Sequence, residues 1–171
     1  MSLAPLFTER QIAERVEALA AEIVRAPVKP DFAAAILVGA FVFAADLLRA
    51  LARLGLSLPL EFLWLRSYGQ NRTGAEGVTV LVPSSQAVRG KTVLLMDGVL
   101  DRGATIAKAR DLLQTQGALA VITAVAVDKG RSDALVRADH AAFTGASGFL
   151  VGYGMDDVGG GRGLPYIAKA E

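Results

Sequence analysis

The stretch VLLMDGVLDRGAT, residues 93–105, begins as an apolar run and becomes a loop holding Asp97, Asp101, Arg102, Gly103 and Thr105. A strand is expected to end near Asp97 and a helix to begin near Ala104. A helix N-terminus offers unpaired backbone N–H groups and a partial positive charge. Gly103 lets the backbone come close to a ligand, the Thr105 hydroxyl adds a donor, and Arg102 adds a cation. The sum is a phosphate cradle. It is not a Walker loop, because no Gly-Lys-Ser/Thr follows, and the dinucleotide pattern GxGxxG is absent.

The two aspartates need a separate reason, since carboxylates beside a phosphate cradle repel the phosphate. They can accept hydrogen bonds from sugar hydroxyls, take a proton, or reach a magnesium ion. A ribose 5-phosphate unit would use all three. The local pattern alone leaves open that Asp101 only caps the following helix.

Composition narrows the chemistry. The chain has 171 residues, one domain's worth, with 53% hydrophobic residues and a net charge of +1. It has no cysteine, which excludes disulfides, thiolate metal sites and a cysteine nucleophile. A single histidine, His140, excludes a multi-histidine zinc site and reads as structural. No run dense in lysine or arginine appears, which argues against nucleic acid as a partner. The apolar stretch between Asp31 and Asp46 is too short for a comfortable membrane span and is broken at Gly39. No charged leader with an apolar core opens the chain, so a cytoplasmic protein without membrane attachment is expected.

The elements that must position these residues follow from periodicity. TERQIAERVEALAAEIVR reads as a helix, with Thr8 and Gln11 spaced as a capping box and Ile12, Val16, Leu19 and Ile23 on one face. AAAILV suits a buried strand. FVFAADLLRALARL reads as a helix that stops at Gly55. LPLEFLWL is a strand, SYGQNRTGAEG a polar loop, and VTVLV the strand returning from it. KTVLLMD, the helix GATIAKARDLLQTQ with its stop at Gly117, and ALAVITAVAVD continue the alternation. HAAFTG, GFLVGYG and LPYIAK are short strand candidates around glycine turns. Alternating strands and helices, with the middle strands apolar on both faces, predict an α/β fold: a mostly parallel twisted sheet flanked by helices. We read residues 1–171 as a single domain. Ligands in such sheets bind at the carboxyl ends of the strands, here after Leu37, Asp97 and Asp128. Taken singly, Lys129 reads as a solvated lysine, Phe149 as core, and Asp156 with Asp157 as a polar turn.

Five segments in order resemble one family. VLLMDGVLDRGAT resembles the phosphoribosyl-pyrophosphate signature of the type I phosphoribosyltransferases, and the chain is similar to their hypoxanthine-guanine branch. ILVGAFVFAADL resembles that branch's pyrophosphate loop and helix, and RSYG the start of its flexible catalytic loop. VDKGR resembles its purine-contacting lysine segment, and FLVGYGMDD with RGLPYIA its base-stacking and closing segments. The resemblance runs from about Leu6 to the end. It implies the type I phosphoribosyltransferase fold, with a small hood formed by the terminal segments. It also implies transfer of ribose 5-phosphate from phosphoribosyl pyrophosphate to hypoxanthine or guanine in purine salvage, with Mg2+ as cofactor and a homodimer or homotetramer as assembly.

The resemblance further implies site roles. Asp101 would be the acid/base group facing N7 of the purine. Arg102, Gly103, Ala104 and Thr105 would hold the 5-phosphate, and Asp97 the ribose hydroxyls. Lys129 would contact the 6-oxo group, Phe149 would stack on the base, and the Leu150 backbone would read its edge. Val38, Gly39 and Arg162 would face the pyrophosphate. Asp156, with Asp97, would place the metal. Ser67 and Tyr68 would close over the site as a lid.

The chain departs from the family's pattern in three places. Asp97-Gly98 stands where two adjacent acids, Glu-Asp, are usual; Val38 replaces a lysine; Arg102 replaces a serine. The first two should loosen the grip on phosphoribosyl pyrophosphate, and an arginine–phosphate pair should partly offset them. On that account Gly98→Asp raises affinity for this donor. The same departures motivate an alternative, a catalytically weakened nucleotide-binding regulator or sensor on the same fold.

Overall fold

The computed structural model describes residues 3–68, 77–82, 86–157 and 159–170; for residues 66–68, 77–82 and 86 it describes the backbone alone. Its strands and helices are β1 (Pro5–Phe7), α1 (Glu9–Arg25), β2 (Phe32–Leu37), α2 (Phe41–Arg53), β3 (Leu60–Tyr68), β4 (Gly77–Val82), β5 (Thr92–Leu100), α3 (Ala104–Thr115), β6 (Ala120–Asp128), β7 (His140–Thr144), β8 (Phe149–Val151) and β9 (Ile167–Ala170).

The first helix starts as its spacing predicts. The Thr8 hydroxyl accepts from the Gln11 N–H, and the Gln11 side chain accepts from the Thr8 N–H, closing a capping box. Its apolar face, Ile12, Val16, Leu19, Ala20 and Ile23, is buried. Among the described residues, one sheet has six strands in the order β4-β3-β2-β5-β6-β7. All neighbours are parallel except β3 with the edge strand β4. The period of two along the central strands divides two cores. Ala33, Ala35, Leu94 and Met96 face α1 and α2, while Ala34, Ile36, Val93 and Leu95 face α3. The β2 alanines on this side, Ala33 and Ala35, are fully buried beneath α1 and α2. The predicted parallel α/β sheet is thus present, as is the hood: β1, β9 and β8 form an antiparallel three-stranded sheet from the two chain ends. No described helix is long and apolar enough to cross a membrane.

Three boundaries differ from the periodicity reading. β5 runs on to Leu100 instead of stopping at Asp97, because β6 keeps pairing with it (Asp97↔Val125, Val99↔Val127, Leu100↔Asp128). β3 runs through Tyr68, because Ser67 and Tyr68 pair with Val78 and Gly77. The polar residues there obscure a strand defined by its main-chain pairing. β1 was not anticipated: three residues that pair only with β9 carry no periodicity of their own.

Phe43, fully buried at 0% exposure, fills the space between α2 and the sheet. Phe43→Ala should lower the unfolding free energy by roughly 3–5 kcal/mol through lost transfer energy and the cavity left behind. Urea denaturation checks this, and a loss below about 1 kcal/mol would mean the pocket collapses freely around the gap.

Candidate active site

The chain enters the sheet at β2, moves outward to β3 and β4, then returns to β5 on the other side of β2. The reversal therefore lies between β2 and β5, the place where open α/β sheets bind ligands. Pairing of these strands reaches only Ala35↔Met96. Beyond it the chain turns away through Val38, Gly39 and Ala40 into α2, while β5 continues beside β6. The parting opens a cavity of about 580 Å3, the mouth of the predicted site.

At one end of the cavity stands the N-terminus of α3. Gly103 is its N-cap in the left-handed region, φ 80°, and a Cβ there would lie 2.6 Å from Val136 Cγ2. Only glycine satisfies both constraints. No side chain caps this helix, so Asp101 is not a cap. The Ala107 N–H donates to Gly103 O at 2.8 Å, which leaves the N–H groups of Ala104, Thr105 and Ile106 without acceptors inside the helix. The loop is pinned from outside by Leu135 N–H donating to Arg102 O at 2.8 Å and Lys129 N–H donating to Leu100 O at 3.0 Å. Main-chain donors and the helix dipole thus point at one end of the cavity, which suits an anion.

Asp101 projects beside this cradle, its side chain 44% exposed. Lys129 Nζ donates to Asp101 Oδ2 at 2.5 Å. The other oxygen, Oδ1, is buried and accepts no hydrogen bond among the described residues; the Arg131 Nε is 3.4 Å away. Arg131 is in turn gripped by Asp133 through two bonds of 2.8 Å, which hold the Asp133 carboxyl below its usual range. Arg102 Nε lies 3.9 Å from Asp133 Oδ2. Arg131 was missed as a cavity residue, although the polar run DKGRSD directly after β6 offered the signal.

Asp97 turns inward. Its Oδ1 accepts from the Gly98 N–H at 2.7 Å, yet burial pushes its pKa up to about 7. Across the cavity Arg162 holds two groups: Nη1 donates to Gly154 O at 2.8 Å and Nη2 pairs with Asp156 Oδ1 at 2.7 Å. Asp156 Oδ2 also accepts from the Gly159 N–H at 3.0 Å.

The cavity brings together Gly39, Asp97, Asp101, Arg102, Gly103, Ala104, Thr105, Lys129, Phe149, Leu150, Asp156 and Arg162, most of the residues the sequence nominated. Phe149 is 49% exposed on this wall and is not core, so its ring is available to a planar ligand. Val38 does not join them: Leu37 and Gly39 line the cavity, while the Val38 side chain is 40% exposed outside the lining. The side chains of Ser67 and Tyr68, the proposed lid, lie outside the described residues. The apolar lining from Ile36, Leu65, Val99, Ile106 and Met155 was not nominated, because strand-end residues look like core in a sequence.

One expectation is corrected. Gly98 is not an open place awaiting a carboxylate, because a Cβ there would lie 2.8 Å from the Gly39 carbonyl oxygen. An aspartate cannot enter unless one of two backbones moves.

Comparison with known proteins agrees with this geometry. Residues 4–157 match the phosphoribosyl transferase domain family. The chain is 34% identical to the hypoxanthine-guanine phosphoribosyltransferase of Aquifex aeolicus, over 97% of this chain and 93% of that one. It is 30% identical to the enzyme of the same name from Dictyostelium discoideum, over 99% and 96%. A crystal structure of a hypoxanthine phosphoribosyltransferase from Staphylococcus aureus superposes with a TM-score of 0.87 at 25% identity, covering 98% of this chain and 91% of that one. A helix N-terminus suited to an anion, an adjacent buried carboxylate oxygen and an exposed ring meet at the sheet's switch point, on a chain that matches these proteins over nearly its whole length: it belongs to the phosphoribosyltransferase family, in its hypoxanthine-guanine branch.

Proposed function

We propose that this phosphoribosyltransferase acts in the cytoplasm on phosphoribosyl pyrophosphate and a 6-oxopurine, hypoxanthine or guanine, giving the nucleoside monophosphate and pyrophosphate. The observation that carries the reading is Asp101 Oδ1, a buried carboxylate oxygen with no hydrogen bond among the described residues, beside a phosphate cradle. Such an oxygen leaves an acceptor position open to a ligand N–H, with the Arg131 Nε 3.4 Å away.

The residues divide the work. Main-chain N–H groups at Ala104 and Thr105, with Arg102, hold the 5-phosphate. Asp97 accepts from ribose hydroxyls. The purine lies against Phe149, its edge read by the Leu150 backbone and its 6-oxo group by Lys129. As N9 forms its bond to C1 of the ribose, the C1–oxygen bond breaks and pyrophosphate leaves with the electron pair. The proton released from the purine passes to Asp101 Oδ1. Lys129 keeps the other oxygen in place, so the acceptor does not rotate away. Arg162 faces the departing pyrophosphate and is itself oriented by Asp156 and Gly154.

The donor set fits a magnesium ion delivered with the substrate. Among the described residues no cluster of three or more Asp, Glu, His or Cys side chains is arranged to hold a metal. Magnesium needs only one or two carboxylates plus substrate phosphates, and Asp156 and Asp97 line the same cavity. When bound, the cation neutralises charge on the leaving group. A homodimer or homotetramer is the assembly we propose, supported by Leu60, Phe62 and Trp64, which alternate along β3 and stay exposed. A non-catalytic sensor is the less favoured reading: it rested on Gly98 and Val38, and Gly98 has a packing reason of its own.

The direct test is to combine folded protein with magnesium, phosphoribosyl pyrophosphate and either purine, and to follow the monophosphate. Formation of inosine or guanosine monophosphate is expected; absence of turnover with both bases would sink the proposal. Asp101→Asn should lower kcat by about 10²–10⁴-fold with little change in either KM, and a kcat within about threefold of wild type would remove Asp101 from the proton transfer.

Asp97 gives a separate expectation in the unliganded protein. Its folded pKa is raised from 3.8 to about 7, so between these values the folded chain holds a proton that the unfolded chain has lost. Its contribution to stability is therefore greatest below pH 3.8 and falls as pH rises towards about 7. Asn keeps the acceptor for the Gly98 N–H without the charge. Asp97→Asn should match wild type near pH 4 and exceed it near pH 8 by on the order of a few kcal/mol. Denaturation curves at the two pH values check this; a difference independent of pH would contradict it.

A further inference from the structure

Gly98 sits inside β5 with its φ outside the left-handed region, so its backbone angles do not call for glycine. Its reason is contact. A Cβ there would lie 2.8 Å from the Gly39 carbonyl oxygen, 3.2 Å from the Gly39 carbonyl carbon and 3.4 Å from Met155 Cγ. A Cβ at Gly154, whose φ of 98° also favours glycine, would lie 2.5 Å from the same Gly39 oxygen and 3.6 Å from Val42 Cγ2. The Gly39 carbonyl is seated between two bare Cα atoms, one on β5 and one on the turn after β8.

That turn is firmly held. Gly154 N–H donates to Arg162 O at 2.9 Å, and Arg162 Nη1 donates back to Gly154 O at 2.8 Å. The same arginine pairs with Asp156. The connection from β2 to α2 is therefore locked onto a rigid central strand on one side and onto the Arg162–Asp156 pair on the other. Through this contact, three segments far apart in sequence acquire one fixed spacing.

We propose that Gly98 and Gly154 are positioning residues for the pyrophosphate end of the site: together they seat the Gly39 carbonyl and so hold the β2–α2 connection at the distance from Arg162 that phosphoribosyl pyrophosphate requires. The connection itself takes the volume in which a second acid would stand. This rests on the reading of Gly39 and Arg162 as pyrophosphate contacts given above. Pre-setting a loop removes the ordering cost that substrate binding would otherwise carry, and small displacements of a positioned group cost much in rate or affinity.

Gly98→Ala is the clean probe, because alanine suits a strand and adds only the methyl that the Gly39 carbonyl excludes. We expect its KM for phosphoribosyl pyrophosphate to rise about tenfold, with the KM for hypoxanthine near wild type and a melting temperature lowered by a few degrees as the backbone gives way. Gly98→Asp should move the donor KM in the same direction. The proposal is overturned by an unchanged donor KM in Gly98→Ala, by equal rises in both KM values, or by tighter donor binding in Gly98→Asp. If Gly98→Ala does not fold, Val42→Ala carries the test. It trims the half-buried methyl packed beside Gly154, and should raise the donor KM alone by about twofold; no change overturns the proposal. If the wild-type protein has no turnover, the functional reading fails on its own. Calorimetric titration of wild type and Gly98→Ala with phosphoribosyl pyrophosphate and magnesium then decides the positioning role: weaker binding by the variant supports it, and equal binding refutes it.

Discussion

β2 and β5 stay hydrogen-bonded only as far as Ala35 and Met96, and the candidate site exists because they part there. A parallel pair must leave main-chain groups unsatisfied where it diverges, unless other partners take over. β6 takes over for β5 up to Leu100, so Asp97 is held on a strand and not on a loop. On the β2 side the connection to α2 folds back until the Gly39 carbonyl rests against Gly98 and Gly154. The cavity is thus the gap between one strand that continues and one that turns, bounded by sheet residues on one side and by Phe149 and Leu150 of the hood strand β8 on another.

Electrostatics explains how three carboxylates can share a cavity with a helix N-terminus that suits an anion. Asp101 is matched by Lys129 and Asp156 by Arg162, each within one cavity wall. Asp133, just outside, takes two bonds from Arg131. Asp97 is instead shielded by burial, which raises its pKa to about 7 against the opposing pull of the Gly98 N–H. The negative charges are therefore paired or suppressed, and the α3 N-terminus with Arg102 keeps its attraction for an anion. Pairing also fixes geometry: Lys129 orients Asp101, and Arg162 joins Asp156 to the Gly154 turn.

Much of this was legible in the sequence, for identifiable reasons. The capping box at Thr8 and Gln11 and the helical spacing of Ile12, Val16, Leu19 and Ile23 are local signals, and the helix is where they place it. The helix N-terminus that faces the cavity was legible because it depends on residues contiguous in the chain: Gly103, Ala104 and Thr105. Phe149, taken alone, reads as core, and only its place in a family pattern distinguished it. What could not be read were consequences of distant backbones meeting. The strand status of Val99 and Leu100 depends on β6. The membership of Arg131 depends on how the chain leaves β6. The glycine at position 98 looks like a lost carboxylate until the Gly39 carbonyl is seen against it. The place of Val38 outside the cavity lining could not be read either, since a turn decides which of three successive residues faces the cavity.

The account stands on one arrangement: phosphate at the α3 N-terminus and purine between Phe149 and Asp101. A crystal structure of the protein with inosine monophosphate bound measures it directly. The phosphate should accept from the Ala104 and Thr105 N–H groups, with the base against the Phe149 ring and N7 facing Asp101 Oδ1. A monophosphate bound with its base remote from Asp101, or its phosphate away from α3, would contradict the account.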